Sequence, residues 1–355
     1  MTKEEILKAL SNVQEPDLGK DLVTLNMIQD LTIDGNNVSF TIVLTTPACP
    51  MKEHMQNACV NAIKILVNKE AVVTVKFTSN TTSNRTDSKT ILSGVKNIIA
   101  VVSGKGGVGK STVAANFALA LAADGITKVG LMDADIYGPS QHIMFGIRGD
   151  RPMMKENGGK GLIVPIEKYG IKVMSIGLLI DEKQAVVWRG PMVSSAIKQF
   201  VTEVDWGELD YLIIDMPPGT GDIHLTIVQT VPVTGVIVVT TPQLIALADA
   251  KKGIAMFGQA LLKVPVIGLV ENMSYFTPEE LPHNKYYLFG KDGGKHLADE
   301  FDIPFLGQIP IVQSIREGGD IGVPAMVGDE EISKKAFEAF AGNAVRGIAK
   351  ANSLN

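Results

Sequence analysis

The sequence is short of cysteine: its 355 residues include two, Cys49 and Cys59. Two thiols cannot build a disulfide framework, and both are read as reduced. It also lacks an uninterrupted apolar run of ~18 residues, the length a spanning helix needs, so no membrane segment is expected. Basic residues are not in excess. Lys and Arg number 33 against 38 Asp and Glu, a net charge of −5. Broad nucleic-acid binding would need a basic face that this balance does not supply. The opening residues, MTKEEILKAL, place acidic side chains where a secretory signal needs a positive start and an apolar core. These absences lead to the expectation of a cytoplasmic protein that uses neither nucleic acid nor membrane.

What is present is an ordinary globular composition, 45% hydrophobic and 20% charged. The length predicts two domains. Residues 1–78 read as a small α+β unit. MTKEEILKALSNV has helical spacing at Ile6, Leu7 and Leu10. NVSFTIVLTT alternates through Val38, Phe40, Ile42 and Leu44, MKEHMQNACVNAIKILVN is helical again, and AVVTVKF is rich in β-formers. Residues 79–94 are polar and rich in Ser, Thr and Asn, the composition of a linker.

From residue 95 to 355 apolar runs alternate with helical segments. Strands are expected at 98–102, 129–132, 211–214, 236–239 and 266–270, and helices at 112–123, 193–204, 244–262, 295–301 and 331–350. The strands are continuous apolar runs, as expected when both faces are covered. The fold class is therefore α/β, a doubly wound and mostly parallel sheet preceded by the small α+β domain.

The stretch GKGGVGKS, Gly104 to Ser111, fits G-x-x-x-x-G-K-[ST] between a strand and a helix. Gly104, Gly106, Gly107, Val108 and Gly109 supply a tight turn whose amides can face phosphate oxygens. The helix N-terminus, with Thr112 in its first turn, adds positive charge. Lys110 should reach the outer phosphates of ATP and Ser111 should bind Mg²⁺. A second lysine, Lys105, lies five residues earlier and points away from the phosphates its own loop holds. It can contact a nucleotide on a facing subunit, which predicts a homodimer.

Three carboxylates follow apolar runs, where strand ends meet the ligand crevice. Asp215 is expected to hold Mg²⁺ through water, Asp133 to join the metal shell, and Asp135 to orient the attacking water. Gly219 and Gly221 form a hinge that can sense the terminal phosphate. Asn272, just past another strand, can offer a donor and an acceptor to adenine. Lys105, Lys110 and Asp135 are the catalytic set. No activating arginine or glutamine is apparent around the loop, so slow hydrolysis is expected.

Together SGKGGVGKSTVAANFALALA, LMDADIYGPS, IIDMPPGTGD and GLVENMS resemble the Mrp/ApbC type of iron–sulfur cluster carrier ATPase, a group of MinD-like dimeric P-loop proteins. DADIYGPS and DMPPGTGD carry most of the specificity. The front segment, with TTPACPM, is similar to the small domain that often precedes this ATPase. The resemblance implies a homodimer that passes clusters to apo-protein clients.

One departure stands out. The family has a Cys-Pro-x-Cys word shortly after ENMS, and here Thr277 and Glu280 occupy those places. Neither is a soft ligand for a cluster. The remaining thiols are in the front domain. Cys49, between prolines at a strand-to-helix junction, is either an iron–sulfur ligand, a transfer thiol or a small buried residue. Cys59 reads as core packing. The alternative to a carrier is thus a nucleotide-switched scaffold that binds no cluster. A positioning ATPase is a weaker third reading, because the C-terminal segment looks like a helix packed on the sheet.

Overall fold

The structure is a computed structural model and describes residues 1–15, 19–44, 51–79, 91–180, 188, 190–258, 262, 264–278, 280–281 and 283–354. The chain separates into two compact units, Met1–Thr82 with Asn352–Asn355, and Ser83–Ala351.

In the first unit, α1 (Lys3–Leu10) begins where Thr2 and Glu5 cap one another. The Glu5 amide donates to the Thr2 hydroxyl at 3.2 Å, and the Thr2 amide donates to the Glu5 carboxylate at 2.8 Å. β1 (Gln14–Glu15) and β2 (Lys20–Asp21) form a short antiparallel ladder. β3 (Ile28–Asp34) pairs antiparallel with β4 (Asn37–Leu44). After α2 (Lys52–Leu66), β5 (Val72–Ser79) returns parallel to β4. The period of two along β4 buries Val38, Phe40, Ile42 and Leu44. The period of four along α2 turns Met55, Cys59 and Ile63 into the same core. The sequence pattern missed β3 because a bulge at Asp30, whose φ is 51°, breaks its alternation.

The second unit starts with β6 (Val95–Val102) and α3 (Lys110–Ala122). Next come β7 (Val129–Asp133), the one-turn α4 (Gln141–Met144) and a hairpin of β8 (Met153–Asn157) and β9 (Lys160–Val164). β10 (Ile166–Lys168) folds back on β11 (Ile171–Ser175), and α5 (Gly190–Thr202), β12 (Leu209–Asp215), α6 (Asp222–Thr230) and β13 (Gly235–Thr240) follow. The unit closes with α7 (Leu244–Phe257), β14 (Val266–Glu271), α8 (Gly293–Glu300), β15 (Phe305–Gln308), α9 (Gln313–Ile321) and α10 (Glu331–Leu354), which belongs to it as far as Ala351.

Eight strands form one sheet in the order β10-β11-β7-β12-β6-β13-β14-β15, and of their pairings only β10 with β11 is antiparallel. The expected doubly wound architecture is present. The central strand β6 is buried on both faces. α3 is apolar around nearly its whole circumference, so it too lies inside. Its Phe117 ring meets Phe340 of α10 at 5.2 Å between centroids, and burying an aromatic side chain of this size contributes about 1.5–3 kcal/mol. The connection from β6 runs toward β7, whereas that from β12 runs toward β13. The crossovers leave two neighbouring strands in opposite directions, and a crevice opens at their C-terminal ends.

Some boundaries differ from the sequence reading. The helix from Leu244 ends at Phe257, where Gly258 donates to the Ile254 carbonyl, and Leu262 lies outside it. The strand read as 211–214 includes Asp215 as its last residue. Leu92, assigned to the linker, is buried in the core of the second unit. Among the described residues no helix is long and apolar enough to cross a membrane.

Candidate nucleotide site

The loop between β6 and α3 is shaped by glycine. Gly107 and Gly109 have φ of 82° and 77°, a region costly for other residues. Gly104 is needed for a different reason. A Cβ there would lie 2.2 Å from the Asp249 carbonyl carbon and oxygen on α7. α3 starts at Lys110 with Gly109 as N-cap and no side chain satisfying its first amides. Those amides are the donors that face an anion at a helix N-terminus.

Lys110 is buried and paired with the fully buried Asp215, with Asp135 Oδ2 3.9 Å away. Its Nζ also donates to the Ser111 hydroxyl at 3.3 Å. Asp215 Oδ2 accepts from Gln141 Nε2 at 2.8 Å, and the same Nε2 donates to the Ser111 carbonyl at 3.1 Å. The end of β12 and the turn after β7 thus converge on one lysine, and the first residue of α4 holds the β12 carboxylate beside it. Of the sequence-read residues, Lys110, Ser111, Asp135 and Asp215 are brought together.

Asp133 sits at the end of β7 and is fully buried. Its Oδ2 accepts from the amides of Ser140 and Gln141, at 3.0 and 3.1 Å, and from the Ser175 hydroxyl at 2.9 Å. Its Oδ1 accepts from the Asp135 amide at 3.2 Å. The carboxylate therefore folds the turn that presents Asp135. Burial, with the Asp215 charge adding to it, pushes Asp133 up to about 7, while the amide and hydroxyl donors pull the other way. Burial also raises Asp135, and the Lys110 charge opposes this.

Other residues fall as follows. Lys105 is exposed, with its carbonyl accepting from the Ser103 hydroxyl at 2.9 Å. Val108 is buried, Gly106 and Gly107 are exposed, and the Thr112 carbonyl accepts from Asn116 Nδ2 within α3. Asn272 gives its Nδ2 to the Val108 carbonyl at 2.8 Å, so it braces the loop. Gly219, with φ of 97°, donates to the Ser103 carbonyl at 2.9 Å, and Gly221 is the N-cap of α6. Thr277 is buried and Glu280 exposed. Cys59 is fully buried, and desolvation pushes its thiol up to about 12. Cys49 lies outside the described residues. Sequence reasoning passed over Gln141, Ser175 and His224. The first two carry no motif of their own, because only folding brings them to the aspartates.

A family model described as NUBPL iron-transfer P-loop NTPase matches residues 94–345. The chain belongs to this family. A second model, iron-sulfur cluster assembly protein, matches residues 3–77. Among relatives of these NTPases, the iron-sulfur cluster carrier protein of Synechocystis sp. is 49% identical over 343 residues, covering 96% of each chain. The carrier protein of Escherichia coli is 43% identical over 323 residues, covering 91% of this chain and 85% of that one. A nucleotide-binding protein from Archaeoglobus fulgidus, solved in complex with ADP, is 38% identical with a TM-score of 0.58. It covers 69% of this chain and 93% of that one. As an iron-transfer P-loop NTPase, the chain has its nucleotide fold in the second unit.

Proposed function

We propose that this chain binds and slowly hydrolyses ATP with Mg²⁺ and, as a homodimer, carries an iron–sulfur cluster to apo-proteins. The observation that carries the reading is the convergence of Lys110, Ser111, Asp135 and Asp215 at the mouth of a glycine loop. An incoming triphosphate exchanges for Asp215 as the partner of Lys110. The Ser111 hydroxyl and Asp215 are hard oxygen donors that fit Mg²⁺. That ion, when bound, neutralises charge on the outer phosphates. Gln141 holds the Asp215 carboxylate in place. Asp133, whose oxygens serve the turn, stays out of the metal set, and Asn272 acts on the loop as well as beside the base. Lys105, projecting from the loop, serves the nucleotide of the facing subunit. Stabilising charge on the transferring phosphoryl group is the main catalytic contribution. Gly219 and Gly221 let the turn after β12 follow the terminal phosphate. The expected domains 1–78 and 95–355 correspond to the two compact units, with Leu92 belonging to the second rather than to a linker.

A second reading is favoured by one observation. The segment after β14 holds Thr277 and Glu280 where soft ligands would be needed, and Cys59 is buried with a raised thiol. This fits a nucleotide-switched scaffold without a cluster. Cys49 is then the ligand on which the carrier reading depends. Anaerobic reconstitution with iron and sulfide analysis separates the two. A stoichiometric cluster that disappears in Cys49→Ser supports the carrier, and no cluster under any condition supports the scaffold. In parallel, Lys105→Ala should lose at least tenfold in ATP turnover while ADP affinity stays within about threefold. Unchanged turnover would remove Lys105 from the mechanism.

A further inference from the structure

His224 occupies a position that its helix reserves for an apolar side chain. On α6 it lies three and seven residues before Ile227 and Val231, both buried in the main core. The residue is 2% exposed, yet neither ring nitrogen has a hydrogen-bond partner among the described residues. The Pro217 and Gly221 carbonyls lie near the ring but outside hydrogen-bond geometry. A buried polar group left unpaired costs about 1–3 kcal/mol, so packing does not explain the ring.

His224 lines a cavity of about 390 Å³ with Asp135, Tyr137, Pro217 and Pro218. Each water takes about 30 Å³ in the liquid, so the cavity has room for water. Asp135, on the cavity wall, has its Oδ2 3.9 Å from Lys110 Nζ, which places the cavity beside the lysine of the phosphate loop.

We propose that His224, together with Asp135, positions the water that attacks the terminal phosphate of ATP. The inference rests on the ATP hydrolysis proposed above. Burial holds the imidazole below its usual range, so near pH 7 the ring is neutral and offers one acceptor and one donor. Asp135 accepts a hydrogen bond from the water, and the ring fixes it from the side of the Pro217–Pro218 turn. In the step, the water oxygen bonds to the γ-phosphorus and the bond to the bridging oxygen breaks. The electron pair leaves on ADP, and the water proton departs with inorganic phosphate. His224 ends as it began and acts as a positioning residue.

The test compares His224→Phe, which keeps the ring volume without its nitrogens, with His224→Gln, which keeps a polar end. Turnover, KM for ATP, ADP affinity and melting temperature are measured in the full-length protein. The phenylalanine variant should fold with a melting temperature no lower than wild type and lose at least tenfold in kcat. Its KM and ADP affinity should stay within about twofold, and glutamine should restore part of the rate. Wild-type turnover in His224→Phe overturns the inference alone. So does a variant pair that fails to fold, or that loses ADP binding together with turnover, because the ring is then structural. If the wild-type protein binds ADP and hydrolyses no ATP, the ATPase reading fails and the inference with it.

Discussion

Cys59 shows how burial decides what a side chain can do. Its thiol is surrounded by the apolar core of the first unit, and desolvation alone pushes it up to about 12. A thiolate is the reactive form. In a Cys49→Ser background, Cys59 should therefore stay unreactive to Ellman's reagent at pH 8 in the native protein. It should titrate as one thiol in guanidinium chloride. The sequence already placed Cys59 in the core, because it shares a helical face with Met55 and Ile63. Asp133 was harder to read. A carboxylate at a strand end has the same sequence appearance whether it meets a metal or folds a turn. The difference lies in Ser175 and Gln141, which are distant in sequence and carry no signal toward it. His224 was not legible, because the helix that carries it, α6, was not read from the sequence.

At the scale of elements, the loop between β6 and α3 is held from outside as much as by its own glycines. α7 passes so close to Gly104 that one added methyl group meets the Asp249 carbonyl. Gly104→Ala should push the loop away from α7, weaken ADP binding at least tenfold and lower stability by about 1–3 kcal/mol. Isothermal titration and thermal melts check both. The glycine pattern of the loop was plain in the sequence, yet its contact with a helix some 145 residues later was not. Parallel strands buried on both faces were readable as continuous apolar runs. The antiparallel hairpin of β8 and β9 lacked that contrast, and α6 was hidden behind the Pro-Gly turn that precedes it.

For the whole molecule, each of the two compact units is built on apolar packing of its own. Calorimetry should show two unfolding transitions, and ADP should raise only one of them. At a hundredfold excess over Kd the gain is about 2.7 kcal/mol. The thiol of Cys59 should become reactive with the transition that ADP leaves unmoved. A single transition that shifts as a unit would mean that the cores unfold together. Across the larger unit, the amide of Asn272 reaches back over 164 residues of sequence to the Val108 carbonyl. That bond fastens the exit of β14 to the phosphate cradle. Thermodynamic reciprocity then applies: any event beyond β14 that strains the tether must change the hold on nucleotide by the factor with which nucleotide changes that event.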